Sequence, residues 1–436
     1  MVPLMSVLRS ISVGVPVVVA AVVMFSVPTD AATLATRIEK DTITVLAEGA
    51  DPTGKFALVF SRRAGSITGW YDLDRDPKMT VNLCSHGDTN GYALFQNRAE
   101  MVVDGEEVVL YPGPAEEFRV LESSDIRTVV LMRGHFTTPS GEFPGEKLRR
   151  GILEVTGRES KGPERPEYQT RFTVYPTGRV YIRHMLGVTG QPIVLTSNRM
   201  ILGTAPVDGV AVLNDHTDAQ RAFVEPASFI LHHGGHDDFT GSALFVANYR
   251  KYPTDWLGQM ITLDGRRRGW LRSAFAVQGG RQVVQPGKYV WSFLLQIEPS
   301  GISSRGAAQG YALDYLEPAR IAFVSGQGAL DLGDSEDRQM DGFAEGRGCY
   351  VVNAGGRRRV QMRVDAGILS RHSPVFEIRH WQGGGPRFIT VDGHRRHVGV
   401  HYTADFDKDT LLLQYLGVLS VGVHTVSVGE ESGDLR

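Results

Sequence analysis

Apolar and polar positions alternate in short runs along most of this chain. FALVFS (56–61), EVVLYP (107–112), RTVVLMR (127–133), RFTVYP (171–176), RVYIRHML (179–186), ALFVANYR (243–250) and KYVWSFLLQIE (288–298) are examples. Runs this short, rich in β-branched and aromatic residues, predict strands. Turn formers bound them: Asp104-Gly105, Pro176-Thr177-Gly178 and Pro286-Gly287. Such residues supply the backbone angles or local hydrogen bonds that turns need. Residues 299–318 break the rhythm with turn formers followed by an Ala/Leu/Tyr stretch that suits a short helix. Strand patterns then resume in RIAFVS (320–325), CYVVN (349–353), RVQMRV (359–364), VFEIRHW (375–381), RFITVDG (387–393), TLLLQYLGVL (410–419) and HTVSVG (424–429). That number suits one small sandwich of ~100 residues. The prediction is an all-β chain: a large β domain over 32–298, a linker over 299–318 and a small C-terminal β-sandwich over 319–436.

Composition agrees with many turns between short strands, with 50 glycines and 42% hydrophobic residues among 436. Lys+Arg is 46 and Asp+Glu is 49, for a formal net charge of -3. That balance speaks against a dedicated nucleic-acid binder, which carries a basic excess. At the N-terminus, Arg9 precedes an apolar run from Ile11 to Val27, and small residues follow near Thr29 and Ala31. This is the three-part pattern of a secretory signal over residues 1–31. The expected location is secreted or periplasmic; an uncleaved anchor at the cell surface is the other reading. Cys84 and Cys349 fall in different predicted domains, so both a bridge and two buried thiols stay open.

Two stretches carry a family resemblance. SITGWYDLDRDPKMTVNL (66–83) reads as a hairpin, and YQTRFTVYPTGRVYIRH (168–184) as two antiparallel strands across a Pro-Thr-Gly turn. With the strand run to residue 298, this resembles the β-supersandwich of the galactose-mutarotase-like class, which occurs in polysaccharide lyases and glycoside hydrolases. The resemblance implies a large β-supersandwich followed by an accessory sandwich, and a polysaccharide or oligosaccharide partner. Fold does not fix function.

Candidate chemistry gathers in several places. LHHGGHDDF (231–239) holds three histidines and two aspartates. If Gly234-Gly235 forms a two-residue hairpin turn, His233 faces His236 and His232 faces Asp237. A metal there would need a further ligand such as Asp238; no metal and no cofactor is assigned. In RVYIRHML, alternation puts Tyr181 and Arg183 on one face and Ile182 and His184 on the other. Arg171 lies on the neighbouring strand. Guanidinium groups clamp carboxylates with paired hydrogen bonds, so this face suits an acidic sugar; a solvated ladder is the plain alternative. His86 and Asn97 sit in and beside a Gly-rich segment. Trp70, Tyr71, Trp256 and Trp270 are candidate stacking rings, with Trp256 the best placed after a Pro-containing turn; most sheet aromatics are core. No carboxylate pair stands out for hydrolysis, and neither a phosphate loop nor a Gly-x-Ser-x-Gly elbow occurs.

The expected activity is β-elimination on a uronate-containing glycan. Arg183, Arg171 or Asn97 would stabilise the developing enolate. His233 or His86 would take the proton and Tyr181 would return one. His236, Asp237 and Trp256 would contact substrate. Such chemistry requires these groups to converge over one sugar-sized trough. Two alternatives remain: a glycoside hydrolase using Asp237 or Asp238, and a non-catalytic glycan-binding or surface-structural protein.

Overall fold

The structure is a computed structural model. It describes residues 33–48, 54–86, 92–138 (save 104–105), 140, 157, 164–204 (save 191 and 196), 213–214, 229–247 (save 237–238), 258–262, 271–276, 282–298, 305–337 (save 325–327) and 339–429 (save 387). The strands that build the functional region are labelled in chain order. They are β1 (Thr128–Thr137), β2 (Glu167–Val174), β3 (Arg179–Val188), β4 (Phe229–His236), β5 (Phe239–Ala247) and β6 (Gly287–Glu298). One helix, α1 (Arg305–Leu316), follows. Then come β7 (Arg320–Phe323), β8 (Cys349–Asn353), β9 (Arg359–Asp365), β10 (Val375–Arg379), β11 (Phe388–Val391), β12 (His394–Arg396), β13 (Tyr402–Asp407), β14 (Thr410–Tyr415) and β15 (Val423–Gly429).

The protein is almost wholly β, as the alternation predicts. In the N-terminal part, the described strands join into a 17-stranded antiparallel network. Its layers close on a phenylalanine core. Phe60 and Phe95 from one layer meet Phe172 at ring distances of 5.2 and 5.9 Å, and Phe245 stacks on Phe293 at 5.1 Å. These rings are fully buried or nearly so. Aromatic burial of this kind contributes about 1.5–3 kcal/mol per side chain.

Within this network β1–β2–β3–β6–β5–β4 form a continuous run. The Pro-Thr-Gly turn joins β2 to β3. Gly178 takes the positive φ of 73° that such a turn needs, and its N–H donates to the Tyr175 carbonyl at 3.1 Å. Cross-strand partners share a face, so Arg171 opposite Arg183, and Arg183 opposite Ser292, lie on one side. His184 lies on the other side, in the core, fully buried, with Nδ1 2.8 Å from Thr170 Oγ1.

The expectation for Gly234-Gly235 is corrected by the register. The β4–β5 ladder runs through both glycines to His236 opposite Phe239, so His233 stands opposite Ser242 rather than His236. On the facing strand the ladder comes close to a ring: a methyl on Gly241, opposite Gly234, would lie 2.7 Å from the Trp70 ring.

The C-terminal part is a sandwich of a five-stranded sheet (β7–β9–β15–β11–β12) and a six-stranded sheet that includes β8, β10, β14 and β13. Val360, Met362, Val426 and Val428 from the first meet Val351, Ile378, Leu411 and Leu413 from the second. This core does not stop at the domain edge. It runs on through Tyr315 of α1 to Tyr181, Leu294, Leu244 and Leu231 of β3, β6, β5 and β4. The C-terminal sandwich therefore sits on the outer face of the N-terminal sheet.

Candidate functional site

The face of β2–β3 that carries Arg171, Tyr181 and Arg183 is the docking face for the C-terminal part. The expectation of an open, sugar-sized trough there is corrected for a physical reason: carboxylates and glycines of the second sandwich fill the space. Both terminal nitrogens of Arg171 donate to the Glu336 carboxylate, a bidentate pair, and one also reaches the Gly346 carbonyl at 3.3 Å. Gly346 lies against Arg183, where a methyl would come within 3.2 Å of Cβ and Cδ. Tyr181 lies under Gly348, which has φ +68°; a methyl there would lie 2.0 Å from the phenol ring. Tyr175 donates to the Arg347 carbonyl at 2.7 Å.

Beside Tyr181 is a cluster that the sequence reading missed; strand alternation on β3 places Arg179 on the face of Tyr181 and Arg183 but not its distant partners. The Arg179 guanidinium donates to Asp314 Oδ2 at 2.9 Å and is hydrogen-bonded to the Tyr181 phenol. Asp314 also accepts the His372 backbone N–H at 3.1 Å and faces Arg371 at 3.6 Å. Tyr311 of α1 lies 5.6 Å from the His372 ring and donates to Glu298 at the end of β6. A cavity of about 20 Å³ remains among Arg179, Tyr181, Asp314, Tyr350, Arg371 and His372. That is room for a water rather than a sugar ring. Burial shifts its titrating groups. It raises Glu298, against the opposing pull of Tyr311 and Arg179. It lowers His372, with Asp314 opposing and Arg179 adding to the effect. Burial thus favours the neutral form of both groups.

The other sequence-derived candidates lie elsewhere. His233 stands opposite Ser242, which stands opposite Glu298, so one register line joins it to this cluster at ~10 Å. His236 ends β4, opposite Phe239. His86 pairs with Tyr92 in a two-stranded ribbon, and Asn97 is in a strand opposite Met200. Asp237, Asp238, Trp256 and Trp270 lie outside the described residues, as does the segment 1–32. Trp70 is fully buried core. Asp72 and Asp76 are buried turn builders. Asp72 accepts the Asp74 and Arg75 N–H groups, and Asp76 accepts Thr80 and Val81. Cys84 and Cys349 are both buried free thiols. Among the described residues no group of three or more His, Cys, Asp or Glu has metal-binding geometry.

A second ionic hub braces the junction. Glu377 on β10 accepts from Arg127 at 2.9 Å and from Arg379 at 2.7 Å, and Arg347 lies 3.5 Å away. Burial alone would raise its carboxyl, but Arg347 and Arg127 outweigh that and hold it at about 2. Burial likewise opposes a low value for Asp334, yet Arg347 holds it at about 2. Burial lowers His184 to about 3. The signs agree. Each carboxylate contributes stability above its unfolded value that is lost as pH falls toward 2. Buried neutral His184 adds a penalty that begins below about 6.5 and grows until about 3. Stability is therefore expected to fall by several kcal/mol between pH 6.5 and 3. Denaturant midpoints across that range check it, and in Glu377→Gln the acid limb below pH 4.5 should flatten.

No family model matches the chain, and no curated protein matches it. It is similar to solved structures. One is a putative aldose 1-epimerase from Escherichia coli K12, 8% identical with a TM-score of 0.28, covering 61% of this chain and 99% of that one. Another is a polysaccharide lyase, 10% identical with a TM-score of 0.33, covering 91% of this chain and 45% of that one. A third is a mutant heparan sulfate lyase from Pedobacter heparinus, 8% identical with a TM-score of 0.28, covering 77% and 40%. The chain thus spans less than half the length of either lyase. Epimerases and lyases are the classes the strand pattern resembles; likeness at this level assigns no activity.

Proposed function

We propose that this is an exported protein acting on an acidic polysaccharide, as a lyase that cleaves a uronate-containing glycan by β-elimination. The observation that supports it most is the register line from His233 through Ser242 to Glu298, beside Tyr311, Arg179 and His372. In this mechanism His233 takes the C5 proton, with His86 the alternative base. Tyr311 and Glu298, which share a hydrogen bond, return a proton to the leaving oxygen. Asn97 is the proposed group for the enolate, since Arg171 and Arg179 are paired with Glu336 and Asp314. Arg171, Arg183 and Tyr181, given to docking, hold the sheet in place. His236, Asp237 and Trp256 are the proposed substrate contacts.

Incubation with polyuronates should yield sugar ends that absorb in the near ultraviolet. His233→Ala and Tyr311→Phe should each lower that rate by about 10²-fold or more, without shifting the melting temperature of Tyr311→Phe by more than a few degrees. New reducing ends without absorbance would mean hydrolysis, with Asp237 or Asp238 as acids. Glycan binding without turnover would favour a second reading, a non-catalytic glycan-binding or surface-structural protein. That reading has its own support: Arg171 and Arg179 are already paired with Glu336 and Asp314.

A further inference from the structure

The outer face of the five-stranded C-terminal sheet carries exposed arginines. Register defines that face. Arg359 and Arg363 stand four residues apart on β9 and so project to the same side. Gln361, between them, is opposite Ser427; Ser427 is opposite Thr390; Thr390 is opposite Arg395. Arg320 on β7 is opposite Asp365 on β9. Residues of the other parity, including Val360, Met362, Val364, Val426 and Val428, fill the core. Arg320, Arg359, Arg363 and Arg395 are all exposed.

The surroundings favour an anion. Arg357 and Arg358, also exposed, directly precede Arg359 in the chain. Among the described residues, Asp365 and Asp392 lie at the margins of this face, and both have partners. Asp365 accepts the Gly367 N–H at 2.9 Å, and Asp392 accepts the Thr425 N–H at 2.8 Å and lies 2.7 Å from His424. Between the arginines are the uncharged Gln361, Thr390, Thr425 and Ser427, of which Thr390 and Ser427 are buried. Arg359 and Arg363 are ~13 Å apart along the strand, and β9 and β12 are ~14 Å apart across three strand spacings. The result is a flat cationic band broad enough to meet several negative groups of one chain. Phe388, the ring on this face, is 9% exposed and lies over Gly429. Single-stranded nucleic acid needs open rings for base stacking, so a polyanion without bases fits better.

We propose that this face binds an anionic polysaccharide, with Arg359, Arg363 and Arg395 forking its carboxylate or sulfate groups. The surface is separate from the junction cluster and works with or without turnover there. It would hold a polymer on the protein while another site acts on it.

The test is equilibrium binding of the full chain to a size-defined polyuronate oligosaccharide, read by calorimetry under conditions where cleavage is followed separately. The native chain should bind it in a salt-sensitive manner and ignore a neutral dextran of equal size. The Arg359→Gln/Arg363→Gln variant should bind at least 10-fold more weakly, and its log Kd against log salt slope should drop by about 1.5, one counterion-release step per lost charge. Its melting temperature should match the native value. Absence of native binding, or undiminished binding by the variant, would overturn the proposal. So would equally tight binding of a single-stranded oligonucleotide through the same residues. Failure of the lyase assay leaves each of these outcomes readable.

Discussion

Gly348→Ala is expected to be among the most damaging single substitutions in this protein, lowering stability by about 2–4 kcal/mol. Two independent costs add. Alanine at φ +68° carries a backbone penalty of about 1 kcal/mol. Its methyl would also stand 2.0 Å from ring carbons of Tyr181, and overpacking of that kind costs about 1–3 kcal/mol. Tyr181 is 2% exposed and sits between Tyr175 and Tyr315, at ring distances of 5.7 and 6.0 Å. It therefore has little room to move aside. Denaturant unfolding measures the loss. The two costs separate in the Gly348→Ala/Tyr181→Leu background, where the steric part should vanish and the backbone part persist. If Gly348→Ala cost under 1 kcal/mol, Tyr181 would not be packed beneath this turn.

The second large effect is expected at Asp314. It is 8% exposed and lies between Arg179 and Arg371, each 7% exposed. Asp314→Ala leaves two buried guanidinium groups without their carboxylate, and breaking buried pairs in this way typically costs about 3–5 kcal/mol. The His372 N–H loses its acceptor as well. Replacing the whole set by apolar residues, as in Asp314→Ala/Arg179→Met/Arg371→Met, should recover much of the loss, since the desolvation penalty then disappears with the charges. Thermal unfolding of the two variants decides it. A triple variant no more stable than Asp314→Ala would show that the charges contribute by attraction rather than by mutual neutralisation.

Much of the first sheet was legible in the sequence. The Pro-Thr-Gly turn and the period-2 pattern on either side fix β2 and β3, and with them the shared face of Arg171, Tyr181 and Arg183. The same alternation correctly sends His184 to the opposite side. What alternation cannot tell is whether a polar face meets solvent, substrate or another part of the chain. Glu336 is 165 residues from Arg171, and Asp314 is 135 from Arg179. No local pattern announces pairs that distant. An arginine-rich strand face therefore reads as a ligand site until its carboxylates are located. Gly234-Gly235 misleads for a related reason. A glycine pair suits both a tight turn and a strand interior, and the ladder that continues to His236 opposite Phe239 selects the second. The N–H groups that Asp72 and Asp76 accept likewise become visible only once the turn is built.

The central claim is that the second sandwich is fixed on the arginine face of the first, so that these guanidinium groups hold the two parts together. A double-mutant cycle between Arg171→Ala and Glu336→Ala tests it most directly, with unfolding free energies measured for all four proteins. Because the pair is bidentate and both side chains are largely buried, the coupling should reach about 1.5 kcal/mol or more. Losses that simply add, to within about 0.5 kcal/mol, would mean that the two residues do not meet and that the face is open after all.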